Sequence, residues 1–518
     1  MARRLRTPLL AALAALVSAA AATLTFAYPA LAAGPTAVFT KTSDWGTGWE
    51  GRYTITNGGS STMTGWQVAF TLPSGTTLGS YWDATVSSAG QRHTFTNRSW
   101  NGTLAPGASA SFGFLATGSG SPVDCTLNGA ACGGGGAPPT TTPPTTAPPT
   151  TTPPTTAPPT TPPPTTTPPT SPPPNTGLPK HALIGYLHAS FANGAGYLRM
   201  ADVPDDWDIV NLAFGEPTSV TSGDIRFQLC PVAECPTVET EAQFTAAIRA
   251  KQQQGKKVLL SIGGQNGQVQ LTTTAARDTF VRSVSAIIDR YGLNGLDIDF
   301  EGHSLYLNTG DTDFRNPTTP VVVNLISAIR ELKQRYGSGF VLTMAPETFF
   351  VQLGYQFYGS GPWGGQDPRA GSYLPVIYAL RDILTVLHVQ DYNSGPIVGL
   401  DGQYHTMGSA DFHIAMTDML LAGFPVAGNA NAVFPALRED QVAFGAPSST
   451  SAGNGYLAPA GVQQAVTCLV RGQNCGTYTP RSGTNPNFRG LMTWSINWDR
   501  YYSWEFRLNH GPFLKALP

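Results

Sequence analysis

Residues 294–301 read Asn294-Gly295-Leu296-Asp297-Ile298-Asp299-Phe300-Glu301, and this stretch narrows the possible folds more than any other. In a β-strand, successive side chains point to opposite faces. Leu296, Ile298 and Phe300 then share one face, and Asp297, Asp299 and Glu301 share the other. Neighbouring carboxyls on that face lie roughly 6–7 Å apart. A buried carboxylate is costly unless it is paired or protonated. Like charges this close raise one another's pKa, so the group is expected to hold a proton near neutral pH. A protonated carboxyl beside an ionised one is what general acid catalysis needs. The alternative is an exposed edge strand with a solvated acidic face. Its apolar opposite face argues against that.

The surroundings of this strand suggest where it sits. From residue 180 to 518, short apolar strands alternate with amphipathic helical patterns. The candidate strands are 181–188, 209–214, 258–262, 295–301, 340–345, 386–392, 442–445 and 491–495. One helical stripe carries Phe280, Val284, Ile287, Ile288 and Tyr291, and another carries Val322, Leu325, Ile326, Ile329 and Leu332 before Gly337. Repeated strand–helix alternation over this length predicts a (β/α)8 TIM barrel. A doubly wound open sheet is the runner-up, but no Gly-x-Gly-x-x-Gly loop directly follows a strand. In a barrel, active sites gather at the C-terminal ends of the strands. Glu301 lies at that end, with Asp299 and Asp297 progressively deeper. Other strand ends there carry Ser261-Ile262-Gly263-Gly264, Met344-Ala345-Pro346-Glu347, Gln390-Asp391-Tyr392-Asn393 and Met492-Thr493-Trp494-Ser495. The two glycines are expected to let backbone approach a ligand.

The segment 33–133 shows no helical period. Alternating runs such as Gly51-Arg52-Tyr53-Thr54-Ile55-Thr56 and Trp66-Gln67-Val68-Ala69-Phe70 are separated by turn clusters, which predicts an all-β sandwich. Trp66 reads as core. Trp45, Trp82 and Trp100 stand in or beside polar, Gly-containing turns. Three exposed indoles would be anomalous in an inert domain, and a flat row of them can stack on the apolar faces of sugar rings. Residues 134–179 repeat Thr-Thr-Pro-Pro and Thr-Thr-Ala-Pro-Pro. They read as an extended polyproline II linker of roughly 3.1 Å per residue.

Residues 1–32 read as a secretory signal. Arg3, Arg4 and Arg6 precede an Ala/Leu-rich core, and Ala30-Leu31-Ala32 offers a cleavage site. The core is short and no stop-transfer pattern follows, so the mature chain is expected to be secreted and extracellular, without a membrane partner. The six cysteines fall into three close pairs, Cys125 with Cys132, Cys230 with Cys235 and Cys468 with Cys475. In an oxidising destination this clustering favours three local disulfides. No His stands at ligand spacing beside any pair, so metal binding is disfavoured. A net charge of −2 gives no reason to expect nucleic acid as a partner.

Two resemblances sharpen these expectations. Trp45, Trp82 and Trp100, with Leu104-Ala105-Pro106-Gly107 and Ser111-Phe112-Gly113-Phe114, resemble carbohydrate-binding module family 2. That implies a planar tryptophan face for crystalline chitin or cellulose. Many members of that family link cysteines at the two ends of the domain. This chain instead has Cys125 and Cys132 close together. Residues 181–518 resemble glycoside hydrolase family 18, whose pattern is Asp-Gly-x-Asp-x-Asp-x-Glu with Ser-x-Gly-Gly on the third strand. Asn294 replaces the first aspartate. The strand-five and strand-six ends look like those of bacterial chitinases of the plant-like branch.

Family 18 lies outside the usual two-carboxyl scheme and uses substrate assistance. The resemblance implies that the substrate's 2-acetamido oxygen attacks the anomeric carbon. Glu301 would protonate the leaving oxygen and then activate water. Asp299 would accept the acetamide N–H and stabilise the oxazolinium ion, while Asp297 would share a proton with Asp299. Tyr392 would aim the acetamide oxygen, and Trp494 would floor the sugar. Gln390, Met344 and Asn393 would touch substrate, with Tyr186 and Phe214 as wall residues. No metal or cofactor is implied, and a monomer is expected. The short loop after strand seven implies an open groove and internal cleavage of chains. The aromatic residues Phe349, Phe350, Tyr355, Phe357, Tyr358 and Trp363 either extend subsites or pack their loop. Alternatives are an endo-β-N-acetylglucosaminidase acting on N-glycans and a non-catalytic lectin, which Glu301 argues against.

Overall fold

The structure, a computed structural model, describes residues 34–44, 48–82, 84–98, 101–132, 177–362 and 364–518. The expected signal peptide, most of the Pro/Thr linker, Trp45, Trp100 and Trp363 lie outside the described residues. The chain divides into two compact units.

The N-terminal unit is a sandwich of two antiparallel sheets. One orders Thr36–Asp44, Gly48–Thr56, Ser109–Thr117 and Thr77–Trp82; the other orders Ala84–Ala89, Arg92–Asn97, Gln67–Thr71, Val123–Leu127 and Ala130–Ala131. Alternation explains the core: Tyr53 and Ile55 of one strand, Val68 and Phe70 of a second, and Phe112 and Phe114 of a third all turn inward and are buried. Trp66 is core, as its strand context predicts. Its ring stacks on Phe112 at 5.5 Å and its Nε1 donates to Asn101 O at 2.8 Å. Cys125 and Cys132 are bonded and staple the hairpin of Val123–Leu127 and Ala130–Ala131. Trp82 closes the Thr77–Trp82 strand.

The second unit is a closed barrel of eight parallel strands: β1 (Ala182–His188), β2 (Ile209–Pro217), β3 (Lys257–Gly263), β4 (Gly295–Asp299), β5 (Val341–Met344), β6 (Val386–Gln390), β7 (Val442–Pro447) and β8 (Gly490–Trp494). β8 pairs with β1 and closes the ring. Helices follow seven of the strands. They are α1 (Glu241–Gln253), α2 (Thr274–Tyr291), α3 (Pro320–Tyr336), α4 (Leu374–Leu380), α5 (Ala410–Ala422) and α6 (Pro459–Arg471), with α7 (Ile496–Tyr501) and α8 (Glu505–Lys515) both after β8. The β1–β2 crossover has only the 3-10 turn Met200–Asp202, because Asn193-Gly194, Gly196 and Pro204 interrupt it and it lacks an apolar period. The predicted helix stripes hold. α2 starts at a Thr273 side-chain cap, buries Phe280, Val284, Ile287, Ile288 and Tyr291, and ends at left-handed Gly292. α3 takes Pro320 in its first turn, where a missing N–H costs nothing.

The strands separate two apolar regions. Leu296, Ile298 and Phe300 join the layer between strands and helices, while Ile184, Tyr186, Leu259, Val341 and Met492 fill the barrel interior. Each fully buried large apolar side chain contributes roughly 1.5–3 kcal/mol, so the apolar half of β4 fixes which way its acidic half points. Asn294 sits just before β4. Its Oδ1 accepts from Val258 N and Gln252 Nε2, each at 2.9 Å, tying β4 to β3 and α1. Two further disulfides, Cys230–Cys235 and Cys468–Cys475, close the loop after β2 and the end of α6.

Candidate active site

The acidic face of β4 points into the barrel. Asp297 is deepest and fully buried. Its Oδ2 accepts from Tyr186 Oη and Ser261 Oγ, both at 2.7 Å, and its Oδ1 accepts from Thr343 Oγ1 at 2.5 Å. Both oxygens are thus engaged by hydroxyl donors from β1, β3 and β5. His388 Nε2 lies 3.5 Å from Oδ1.

One turn of the pleat higher is Asp299, also buried, and above it Glu301, which is partly open to solvent. Their carboxyls are hydrogen-bonded to each other. Gln390, at the end of β6, spans the pair. Its Nε2 lies 2.9 Å from Asp299 Oδ1, 3.0 Å from Glu301 Oε1 and 2.9 Å from Ala345 O. Two amide hydrogens serve three acceptors, so the amide is fully committed. The backbone between the two acids is clamped as well: Phe300 N donates to Tyr373 Oη at 2.7 Å, and that hydroxyl donates to Phe300 O at 3.1 Å.

The electrostatics follow from burial. Asp299 is pushed well above the usual carboxylate range, first by burial and then by the charges of Glu301, Asp297 and Glu347, with the Gln390 bond opposing. Glu301 is raised by burial, against bonds from Gln390 and Asp299. Glu347, from the end of β5, is pushed up to about 8 by burial and the Glu301 charge, with Arg369 opposing. A coupled group of this kind retains a proton at neutral pH.

Aromatic rings stand around the same mouth. Trp494 ends β8 and is partly exposed. The Phe214 ring lies parallel to it, 5.6 Å away, and the His188 ring lies 4.7 Å away. Tyr392 is buried inside the barrel, its hydroxyl pKa raised by burial and then by Asp299, Glu301, Glu347 and Asp297.

Several sequence expectations change. Met344 belongs to the outer core between strands and helices. Its β5 neighbours Thr343 and Ala345 face inward instead, so Met344 does not line the site. Tyr186 is no wall residue: it is buried beneath the site as a donor to Asp297. Asn393 is exposed, with φ 50, and its Oδ1 accepts from Asn454 N at 2.8 Å. It ties the loop after β6 to the loop after β7. Gly263 and Gly264 serve the protein rather than a ligand. A Cβ on Gly263 would sit 1.9 Å from Asp299 O, and one on Gly264 would meet the Phe214 ring at 2.6 Å. Most β5-loop aromatics pack: Phe350 and Tyr358 are buried, Phe349 and Tyr355 lie against the core, and only Phe357 among those described is well exposed. Thr343, Tyr373, His388 and the electrostatic part of Glu347 escape sequence reasoning.

A parallel barrel with a proton-holding carboxyl pair at the mouth, an amide bridging it and aromatic rings beside it is the build of a glycosidase. Residues 35–132 match the model of the cellulose binding domain, and residues 177–365 match that of glycosyl hydrolases family 18. Over 330 residues the chain is 74% identical to Exochitinase 1 of Streptomyces olivaceoviridis, a match covering 64% of this chain and 55% of that protein. Over 319 residues it is 66% identical to the Probable class II chitinase of Arthroderma benhamiae, covering 62% of this chain and 95% of the relative. The crystal structure of a family 18 chitinase from Chromobacterium violaceum superposes with a TM-score of 0.58 at 40% identity, over 65% of this chain and 85% of that one. The chain belongs to glycosyl hydrolase family 18, with a family 2 carbohydrate-binding domain ahead of the barrel.

Proposed function

We propose that this protein is a secreted chitinase that hydrolyses β-1,4-linked N-acetylglucosamine chains with retention of configuration, through attack by the substrate's own acetamide oxygen. The observation that carries this reading is the contact between Asp299 and Glu301 under a single Gln390 amide. Two-carboxyl glycosidases hold their acids apart, about 5–5.5 Å for a nucleophile and about 6.5–9.5 Å for a water. Acids that touch leave no room for either arrangement. This supports a nucleophile supplied by the substrate, whose 2-acetamido group neighbours the anomeric carbon.

Each residue has a role in this scheme. Glu301, the member of the pair open to the mouth, gives its proton to the leaving oxygen and then takes one from water. Asp299 accepts the acetamide N–H and faces the positive charge of the oxazolinium ion. Tyr392 donates to the acetamide oxygen and fixes its aim. Trp494, backed by Phe214 and His188, floors the sugar. Asp297, held by Tyr186, Ser261 and Thr343, is fixed directly below Asp299.

Only residues 448–458 connect β7 to α6. A loop this short leaves that side of the mouth open, which supports cleavage within chains. The leader sequence supports export, and the N-terminal domain supports attachment to insoluble chitin or cellulose. Mass analysis of products from insoluble chitin tests the reading, with a glycoprotein substrate in parallel. Soluble N-acetylglucosamine oligomers of mixed length are expected from chitin, and release of intact N-glycans alone would overturn the assignment.

A further inference from the structure

Three aromatic side chains follow Trp494 on the same segment. Trp498 and Tyr501 lie in α7 and Tyr502 directly after it, and together they form one cluster on the rim of the barrel. Ring centroids are 5.6 Å apart for Trp498–Tyr501, 6.5 Å for Trp498–Tyr502 and 5.4 Å for Tyr501–Tyr502. Tyr501 is 61% exposed and Tyr502 37% exposed. The cluster is held in place rather than left loose. Asn497 Oδ1 accepts from His188 N at the end of β1, and its Nδ2 donates to Gly196 O. Arg500 Nη1 donates to Tyr197 O. On the other side, Tyr502 Oη and Ser451 Oγ of the loop after β7 share a hydrogen bond at 2.6 Å. The rings therefore sit on the catalytic face, fixed to the loops after β1 and β7, four to eight residues beyond the aromatic residue at the site floor.

Contiguous exposed rings on a rigid rim are anomalous unless something covers them. Building on the chitinase reading above, we propose that Trp498, Tyr501 and Tyr502 form an outlying sugar-binding subsite that holds a single chain of β-1,4-linked N-acetylglucosamine where it leaves the cleft. Two features favour this occupant. The cluster continues the segment that carries Trp494. Its rings are also mutually inclined, by 77° for Trp498–Tyr501, 45° for Trp498–Tyr502 and 58° for Tyr501–Tyr502. Inclined rings cannot lie flat on a crystal face. They suit one free chain, whose successive sugars present their apolar faces in different directions.

The test measures binding rather than turnover. In the full chain carrying Glu301→Gln, calorimetry with the N-acetylglucosamine disaccharide and hexasaccharide compares the parent with Tyr501→Ala/Tyr502→Ala and with Tyr502→Phe. The double substitution is expected to weaken hexasaccharide binding about tenfold, with a much smaller effect on the disaccharide. Tyr502→Phe keeps the ring and is expected to stay close to the parent. Equal effects at both lengths, or no effect, would overturn the subsite. So would loss of a dimer on size exclusion, which would assign the rings to a second copy. If the chain without substitutions binds the hexasaccharide but never cleaves it, the chitinase reading fails and the subsite stands. If it binds neither sugar, both fail.

Discussion

Gln390 Nε2 lies 3.0 Å from Glu301 Oε1 while also reaching Asp299 at 2.9 Å. This amide favours the charged form of both acids, against the burial that favours the neutral form. Gln390→Leu keeps the volume and removes the donor. Both pKa values then rise further. Catalysis needs a proton on Glu301, so the alkaline limb of the pH–rate profile is expected to move to higher pH. A hydrogen bond to a charged group contributes about 1.5–3 kcal/mol, so kcat/KM should fall about 10–100-fold. A profile with an unmoved alkaline limb would contradict this role.

Glu301→Gln removes the proton donor and keeps the shape. Loss of general acid catalysis costs about 10²–10⁴ in rate, and loss of the base step adds to it. The expected result on a soluble chitooligosaccharide is at least that fall in kcat, with the fold intact by circular dichroism. Near-normal turnover would remove Glu301 from the mechanism.

The opening face of β4 is legible in the sequence because one side is apolar and the other acidic, so the strand's phase cannot be mistaken. β5 is different. Val341, Leu342, Thr343, Met344 and Ala345 include only one polar residue, because a parallel strand is covered on both faces. Without a phase signal, Met344 reads as a site residue and Thr343 goes unnoticed. Tyr373 and His388 are hidden for another reason. Their contacts with Phe300 and Asp297 join different strand–helix units far apart in the chain, and nothing local in the sequence encodes them. Gly263 and Gly264 are visible as special positions, but their reason is close approach to Asp299 and Phe214.

Glu347 is pushed up to about 8, above the unfolded glutamate value of about 4.3. The folded state therefore holds this proton more tightly. The resulting stability is fully present below about 4.3 and is lost as pH rises through about 8. Glu347→Gln stays neutral throughout. Its Tm should match the parent's at pH 4 and exceed it at pH 9, as thermal melts at the two pH values would reveal. Equal differences at both would mean that Glu347 is not buried as a neutral acid.

The N-terminal domain should matter only where there is a surface. A tether raises the barrel's effective concentration at an insoluble substrate and offers nothing to a dissolved one. Deleting residues 34–133, or changing Trp82 and Trp100 to Ala, should lower the ratio of activity on insoluble chitin to activity on a soluble oligosaccharide several-fold. A folded double variant with an unchanged ratio would refute the tryptophan face.

The central claim is that the substrate supplies the nucleophile above the touching pair Asp299 and Glu301. Proton NMR of the first moments of chitohexaose hydrolysis measures this most directly. Attack by the acetamide oxygen followed by water is a double displacement, so the newly formed reducing end should appear first as the β-anomer and relax slowly to the mixture. An α-anomer as the initial product would contradict the account.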